Sequence, residues 1–286
     1  MNAGPSVIAG AAPRPGRGNL VRVPAVILLL VLAAALLGPS LSPHDYFSME
    51  LPSRLTAPSF GDARLFGTDD LGRDLFVRTM WGARMTLLVA IAASLVSLGI
   101  GVAYGAIAGY AGGRIDAFMM RMVDALYALP FMFLVILLMV AFERKFLLIF
   151  VAIGAINWLD MARIVRGQTL ALKQRDFVSA ARLMGVRPAA IVVRHIVPNL
   201  LGVVVVYMTL TIPQAILVES FLSFLGLGVQ EPQTSLGALV NDGVAQMDRA
   251  PWMLLIPATL LALILMSFNF LGDGLRDALD PRLRTR

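Results

Sequence analysis

Between Arg84 and Arg114 the chain carries no charged side chain. A helix rises about 1.5 Å per residue, so about 20 apolar residues cross the ~30 Å hydrocarbon core of a bilayer. Such intervals recur. One is the apolar run Val23 to Leu41, placed in a first helix over residues 21–41. Others lie between Asp124 and Glu143, after Lys145, between His195 and Glu219, and between Arg249 and Asp273. The interval after Lys145 is interrupted near its end by Asp160 and Arg163, which stand three residues apart on one helix face and are expected to pair. Six intervals of this length predict an all-α integral membrane protein with six transmembrane helices.

Composition agrees. Of 286 residues 58% are hydrophobic and 15% charged, with a mean hydropathy of +0.79, whereas soluble domains are about 45–50% apolar and about 25% charged. The net charge of +6 would suggest nucleic acid in a soluble chain. Spans of this length have no place there, so no nucleic-acid partner is expected and the bilayer is. There is no cysteine, and the two histidines, His44 and His195, are far apart, so disulfide frameworks, Cys-based zinc sites and His-rich metal centres are excluded. Neither lysine, Lys145 or Lys173, follows a glycine, which rules out a phosphate-binding Gly-x-x-x-x-Gly-Lys loop.

Lys and Arg residues favour the cytoplasmic side. With the N-terminus inside, sixteen of them fall in the N-terminal tail, the 109–124 turn, the 160–196 loop and the C-terminal tail, against eight on the other side. Both termini are therefore expected in the cytoplasm. Residues 1–20, rich in Gly, Pro and Arg, read as a disordered tail, and residues 274–286 as a second cytoplasmic tail. Residues 42–84 and 226–250 read as external, and 165–196 as an internal basic loop. The first apolar run follows Arg14, Arg17 and Arg22, as a cleaved signal would. Its length of about 19 residues favours an anchor.

Within the spans, Asp124 and Glu219 lie near helix ends, which favours structural pairing over an ion relay. Pro130, Pro213 and Pro257 fall in spans three, five and six, where they either shape a cavity or are ordinary membrane-helix prolines. Gly99, Gly101, Gly105 and Gly109 recur at a spacing near four, a face suited to close helix packing. Pro130, Met132, Met139, Met208 and Gln214 are candidates to line a path, although periodicity does not separate a lipid face from a cavity.

The internal loop carries Asp176-Phe-Val-Ser-Ala-Ala-Arg-Leu-Met-Gly185-Val-Arg-Pro188, and then Arg194-His195-Ile-Val-Pro198-Asn199. Asp176 is placed to cap a short helix that runs through Ala180, Ala181, Leu183 and Met184. Gly185 suits its end, and Pro188 suits the first turn of a second helix. The spacing of Ala180-Ala181, Gly185 and Pro198 resembles the EAA loop of ABC importer permeases. Ser179 stands where that loop usually has Glu. Two further stretches resemble the C-type permeases of the dipeptide/oligopeptide/nickel group. One is Gly67-Thr-Asp-Asp-Leu-Gly-Arg-Asp74 with Arg78, Gly82, Arg84 and Leu87. The other is Phe221-Leu-Ser-Phe-Leu-Gly-Leu-Gly228-Val-Gln230, with Asn269 to Pro281 at the C-terminal end.

The resemblance implies a type I ABC importer permease fold. A five-span domain over 85–273, containing the loop 165–196, follows an extra N-terminal helix. The implied location is a bacterial inner membrane. The implied partners are a homologous B-type permease subunit forming a heterodimer, two ABC ATPase subunits and an external solute-binding protein. ATP and Mg belong to the ATPases, so no cofactor and no catalytic residue is expected here. Asp176, Ser179, Ala180, Ala181, Arg182, Met184, Gly185, Val186 and Pro188 are then the coupling residues that dock on the ATPase. The implied cargo is a dipeptide or oligopeptide, with nickel chelates, glutathione and oligosaccharides carried by the same group. An ion-coupled carrier would need mid-span acids and internal symmetry, and a membrane hydrolase would need a nucleophile beside a base. Neither pattern is present.

Overall fold

The computed structural model describes residues 17–61, 63–141 and 146–279. These residues form ten helices, α1 (Arg17–Leu41), α2 (Leu75–Ala111), α3 (Gly113–Tyr127), α4 (Phe131–Ala141), α5 (Phe146–Lys173), α6 (Asp176–Leu183), α7 (Pro188–Ile191), α8 (Val197–Phe224), α9 (Leu236–Ala245) and α10 (Trp252–Leu279). Among the described residues, extended pairing is limited to two isolated bridges, Ser59 with Arg64 and Thr68 with Asp74. Four stretches are long and apolar enough to cross a membrane: Val21–Leu41, Leu75–Ala111, Pro188–Phe224 and Trp252–Asp277. Helices α3 and α4 meet at 75° and pass the same test of length and apolarity only when taken together as one bent span. Helix α5, 28 residues long, fills the interval expected for the fourth of six spans. The chain is a multi-pass, all-helical membrane protein.

Several boundaries differ from those read off the charges. Residues 1–16 and 280–286 lie outside the described residues, but α1 already starts at Arg17, where a tail to residue 20 was expected, and α10 continues to Leu279. The two ends pack together: a Cβ on Gly274 would lie 2.4 Å from a Val21 methyl. Helix α2 begins ten residues before Met85. It takes Arg78 and Arg84 inside the helix because both guanidiniums find partners. Arg84 donates to the carbonyls of Ala35 and Leu36 and stacks 4.6 Å from the Trp81 ring. The Ala35 carbonyl is free because Pro39, four residues on, has no N–H to offer it.

The tightest contact is between α2 and α5. Gly101, Gly105 and Gly109 bring the two backbones together. A Cβ on Gly101 would sit 2.5 Å from Met161 Cβ, one on Gly105 2.4 Å from the Ala162 carbonyl, and one on Gly109 2.8 Å from the Arg166 carbonyl. Gly99 meets nothing within 4 Å and is not part of this face. Residues of α1, α2, α4, α5, α8, α9 and α10 then close one apolar core around Ala90, Ile153, Ile216 and Ile264.

At one end of the bundle the segment 42–74 folds back as a clamp. Asp69 accepts from the backbone N–H groups of Leu71 (2.9 Å) and Arg73 (2.8 Å) and from Arg73 Nε (2.6 Å). Asp74 caps α2 by accepting from Val77 N at 2.9 Å. Arg73 reaches both Glu231 oxygens at 3.1 Å, and Arg78, almost fully buried, donates to Glu231 at 3.3 Å. The Gly67–Asp74 stretch and Arg78 thus act as one unit that holds the loop between α8 and α9. Burial pushes the Glu231 carboxyl up. The Arg78 and Arg73 charges and hydrogen bonds outweigh this and hold it below its ordinary value of 4.5.

Gly105→Val is expected to force α2 from α5 at a cost of about 1–3 kcal/mol, the range for overpacking, seen as a lowered thermal midpoint in detergent. Gly99→Ala should leave that midpoint unchanged or slightly raised. A carboxylate with a depressed value contributes stability above its ordinary value and loses it as pH falls through the lower one. Amide protection across residues 225–235, taken relative to the unfolded-chain rate at each pH, should therefore be high above about pH 4.5 and fall below it, and Glu231→Gln should remove that step.

Candidate functional site

The opposite end of the bundle carries the helical hairpin α6–α7. Its turn is built by the backbone. Gly185 holds φ +78°, a conformation that costs other residues about 1 kcal/mol or more. Its N–H donates to the Arg182 carbonyl at 2.9 Å, and the Val186 N–H donates to the Ala181 carbonyl at 3.1 Å. These are the two bonds of a Schellman end. Pro188 opens α7 at its first position, where no N–H is needed. Asp176 was expected as the cap of α6. Arg175 holds that place, and Asp176 is the first helical residue, where its charge still suits the helix dipole.

The hairpin has two faces. Val178 and Ala181, three residues apart, are buried with Ile191, Ile196 and Leu200 against Ala106 of α2 and Met161 and Val165 of α5. Arg182 and Lys173 flank the Tyr110 ring, at 5.2 and 5.6 Å from its centroid. Ser179, Ala180, Arg182, Gly185 and Pro188 are exposed, and Val186 is half-buried. Leu183 is 90% exposed and Met184 76%. Large apolar side chains standing this far out of a polar end make this face a candidate contact surface. Of the nine residues singled out in the sequence, Ala181 belongs to the seat and most of the others to the free face. Leu183, the most exposed, was read only as helix continuation. Its place beside Met184 at the end of α6 was the signal.

The hairpin continues directly into α8. Over Val192–Ile196 the helix widens into a π turn, in which the Val197 N–H donates to the Val192 carbonyl. The cause is Pro198, which cannot donate to the Arg194 carbonyl and crowds it. Asn199 Nδ2 donates to the neighbouring His195 carbonyl at 2.7 Å.

The candidate path residues are spread out. Pro130 lies in the break between α3 and α4 rather than inside a helix. A proline cannot donate to a preceding turn, and the 75° bend sits there. Met132 packs on the main core, Met208 is half-buried on α8, and the side chain of Met139 lies outside the described residues. Gln214 lines a cavity, of about 180 Å³, together with Asp160, Tyr207 and Thr211. Sequence reasoning missed this group, although Tyr207, Thr211 and Gln214 recur at i, i+4 and i+7 as a polar stripe in an apolar helix.

The acids are spoken for individually. Glu219, fully buried, accepts from Thr86 (3.2 Å), Ser220 (3.4 Å) and Ser223 (2.7 Å), and Thr86 Oγ1 in turn accepts from Leu236 N at 3.1 Å. This ties α2, α8 and α9 together, the structural role expected of it. Asp160 and Arg163 do not pair with each other. Arg163 donates to Asp124 at 2.7 Å, and Asp160 accepts from the Tyr127 hydroxyl. Arg163 extends sideways toward α3, and the long Tyr127 side chain of α3 reaches back to the short Asp160, so each finds a partner there. Arg166 makes a two-pronged pair with Asp116 at 2.6 and 2.7 Å.

Residues 101–285 match the family model described as binding-protein-dependent transport system inner membrane component. The chain is 52% identical over 259 residues to the oligopeptide transport system permease protein OppC of Haemophilus influenzae, covering 91% of this chain and 83% of that one. It is 53% identical to the protein of the same name from Escherichia coli, over 91% and 86%. It is 47% identical to the dipeptide transport system permease protein DppC of Bacillus subtilis, over 90% and 80%. The matched region holds the glycine face, the two-faced hairpin and α8 to α10, and the chain therefore belongs to the family of binding-protein-dependent transport system inner membrane components.

Proposed function

We propose that this chain is one of two permease subunits in an ATP-driven importer of dipeptides or oligopeptides. The single observation that carries this reading is the hairpin: its free face presents Leu183 and Met184, while its other face is buried against α2, α5 and α8. A partner that grips the free face moves three membrane helices at once. ATP-driven closure of a pair of ATPase subunits is such a motion, and it biases the permease between inward-facing and outward-facing states. The chain itself is non-catalytic. ATP and Mg are held by the ATPases, and the second half of the path comes from a homologous permease subunit.

In this reading the hairpin end and both termini face the cytoplasm, in keeping with the distribution of Arg and Lys. The clamp end faces outward, where a solute-binding protein delivers cargo. The peptide cargo rests on the names of the relatives, since cargo choice lies largely with the binding protein.

The test uses the whole importer reconstituted in vesicles. Burying one apolar side chain is worth about 1.5–3 kcal/mol, so losing two anchors should cost about tenfold or more in coupling. Leu183→Asp with Met184→Asp, and separately deletion of Ala180 to Pro188, are expected to reduce peptide import and binding-protein-stimulated ATP hydrolysis by at least that factor. The subunit should still co-purify with the second permease. Import at the normal rate in both variants would overturn the assignment.

A further inference from the structure

The cavity between α5 and α8 combines features that structural packing does not require. Its polar lining, Asp160, Tyr207, Thr211 and Gln214, lies deep within the spans. Asp160 is 14 residues from the first residue of α5 and Thr211 is 13 from the last residue of α8, about 20 Å along each helix. In a core of ~30 Å this is about 5 Å past the middle of the membrane, still within the hydrocarbon. Asp160 and Gln214 are both exposed on this face. A carboxylate and a carboxamide at that depth cannot face lipid tails without heavy cost, so they face the second permease subunit or the water and polar solute that pass between the two.

The charge is also unbalanced. Arg163, three residues on, is committed to Asp124 at 2.7 Å and lies 4.1 Å from the Tyr127 ring centre. Among the described residues, the hydrogen-bond partner of Asp160 is the neutral Tyr127 hydroxyl. Tyr207, Thr211 and Gln214 bring no charge. The pocket therefore holds a carboxylate with unused acceptor positions, beside an amide that both donates and accepts.

We infer that this cavity is a station on the translocation path for a primary ammonium group next to an amide, the chemistry of a peptide N-terminus, and that Asp160 is its specificity-determining residue. This rests on the importer reading above. Asp160 attracts the ammonium as it leaves bulk water, and Gln214 pairs with the first peptide amide. Tyr127 fixes the carboxylate from behind.

The chain has no cysteine, which supplies the test. Gln214→Cys is introduced into the full importer, and labelling is read on this subunit alone. Binding-protein-stimulated ATP hydrolysis is measured first on the unsubstituted importer, and its absence there would count against the importer reading rather than this one. A cationic and an anionic methanethiosulfonate reagent of similar size are then compared. Relative to their rates with a free small thiol, the cationic reagent is expected to be favoured about tenfold, the factor for a charge preference of about 1.4 kcal/mol. Asp160→Asn should bring the ratio near one, and Asp160→Glu should restore most of it. A second measurement leaves Asp160 untouched: a free-amine peptide should slow labelling of Gln214→Cys, while its N-acetylated form at the same concentration should not. Failure to label in every nucleotide state, a reagent ratio no greater than that with a free thiol, or equal protection by both peptides would each overturn the proposal.

Discussion

The approach of α2 to α5 is the contact on which the other helices depend. In a bilayer the hydrophobic effect does not drive helices together, because lipid tails are as apolar as the side chains. What remains is close packing and hydrogen bonding, and both need backbones to come near. Three glycines four residues apart give α2 that freedom along a strip facing Met161, Ala162 and Arg166. Asp160 and two of the residues that seat the hairpin, Met161 and Val165, are on α5, so the glycine strip fixes where the cavity and the hairpin stand relative to the clamp on α2.

Polar groups complete what the glycines begin. Glu219 alone would be a costly burial, but three hydroxyls from α2 and α8 surround it, and one of them also receives the first amide of α9. The clamp repeats the device where water is near: Arg73 and Arg78 bridge Asp69 to Glu231. Between them, one buried acid and one ion-pair cluster hold the clamp end as a single body, while the hairpin end keeps an apolar face free.

Much of this was legible in the sequence, because the bilayer imposes a length that charges bracket. The first span at 21–41 and the hairpin turn at Gly185 and Pro188 could be read directly, since length, a left-handed glycine and a missing N–H are local matters. Partners were not legible. Asp160 and Arg163 look paired because they share a helix face, yet both turn to α3, a helix more than thirty residues earlier. The start of α2 was misplaced for the same reason: Arg78 and Arg84 look like the edge of a span until the distant Glu231 and the α1 carbonyls of Ala35 and Leu36 are seen. The polar stripe of α8 was visible but had no meaning without Asp160 opposite it.

The π turn at Val192–Ile196 has a consequence for phase. A regular helix turns by about 100° per residue, and a π turn holds one residue more than an α turn. Everything before it is therefore rotated by about one residue step relative to everything after it. Ile191 and Leu200 reach the same apolar cluster only because that extra residue is present. Along residues 188–224 the chain reads as one continuous rod, but it is a rod assembled from two frames. The hairpin's aim is set by the offset between them, so a single residue added or lost in this turn would change direction without changing length appreciably.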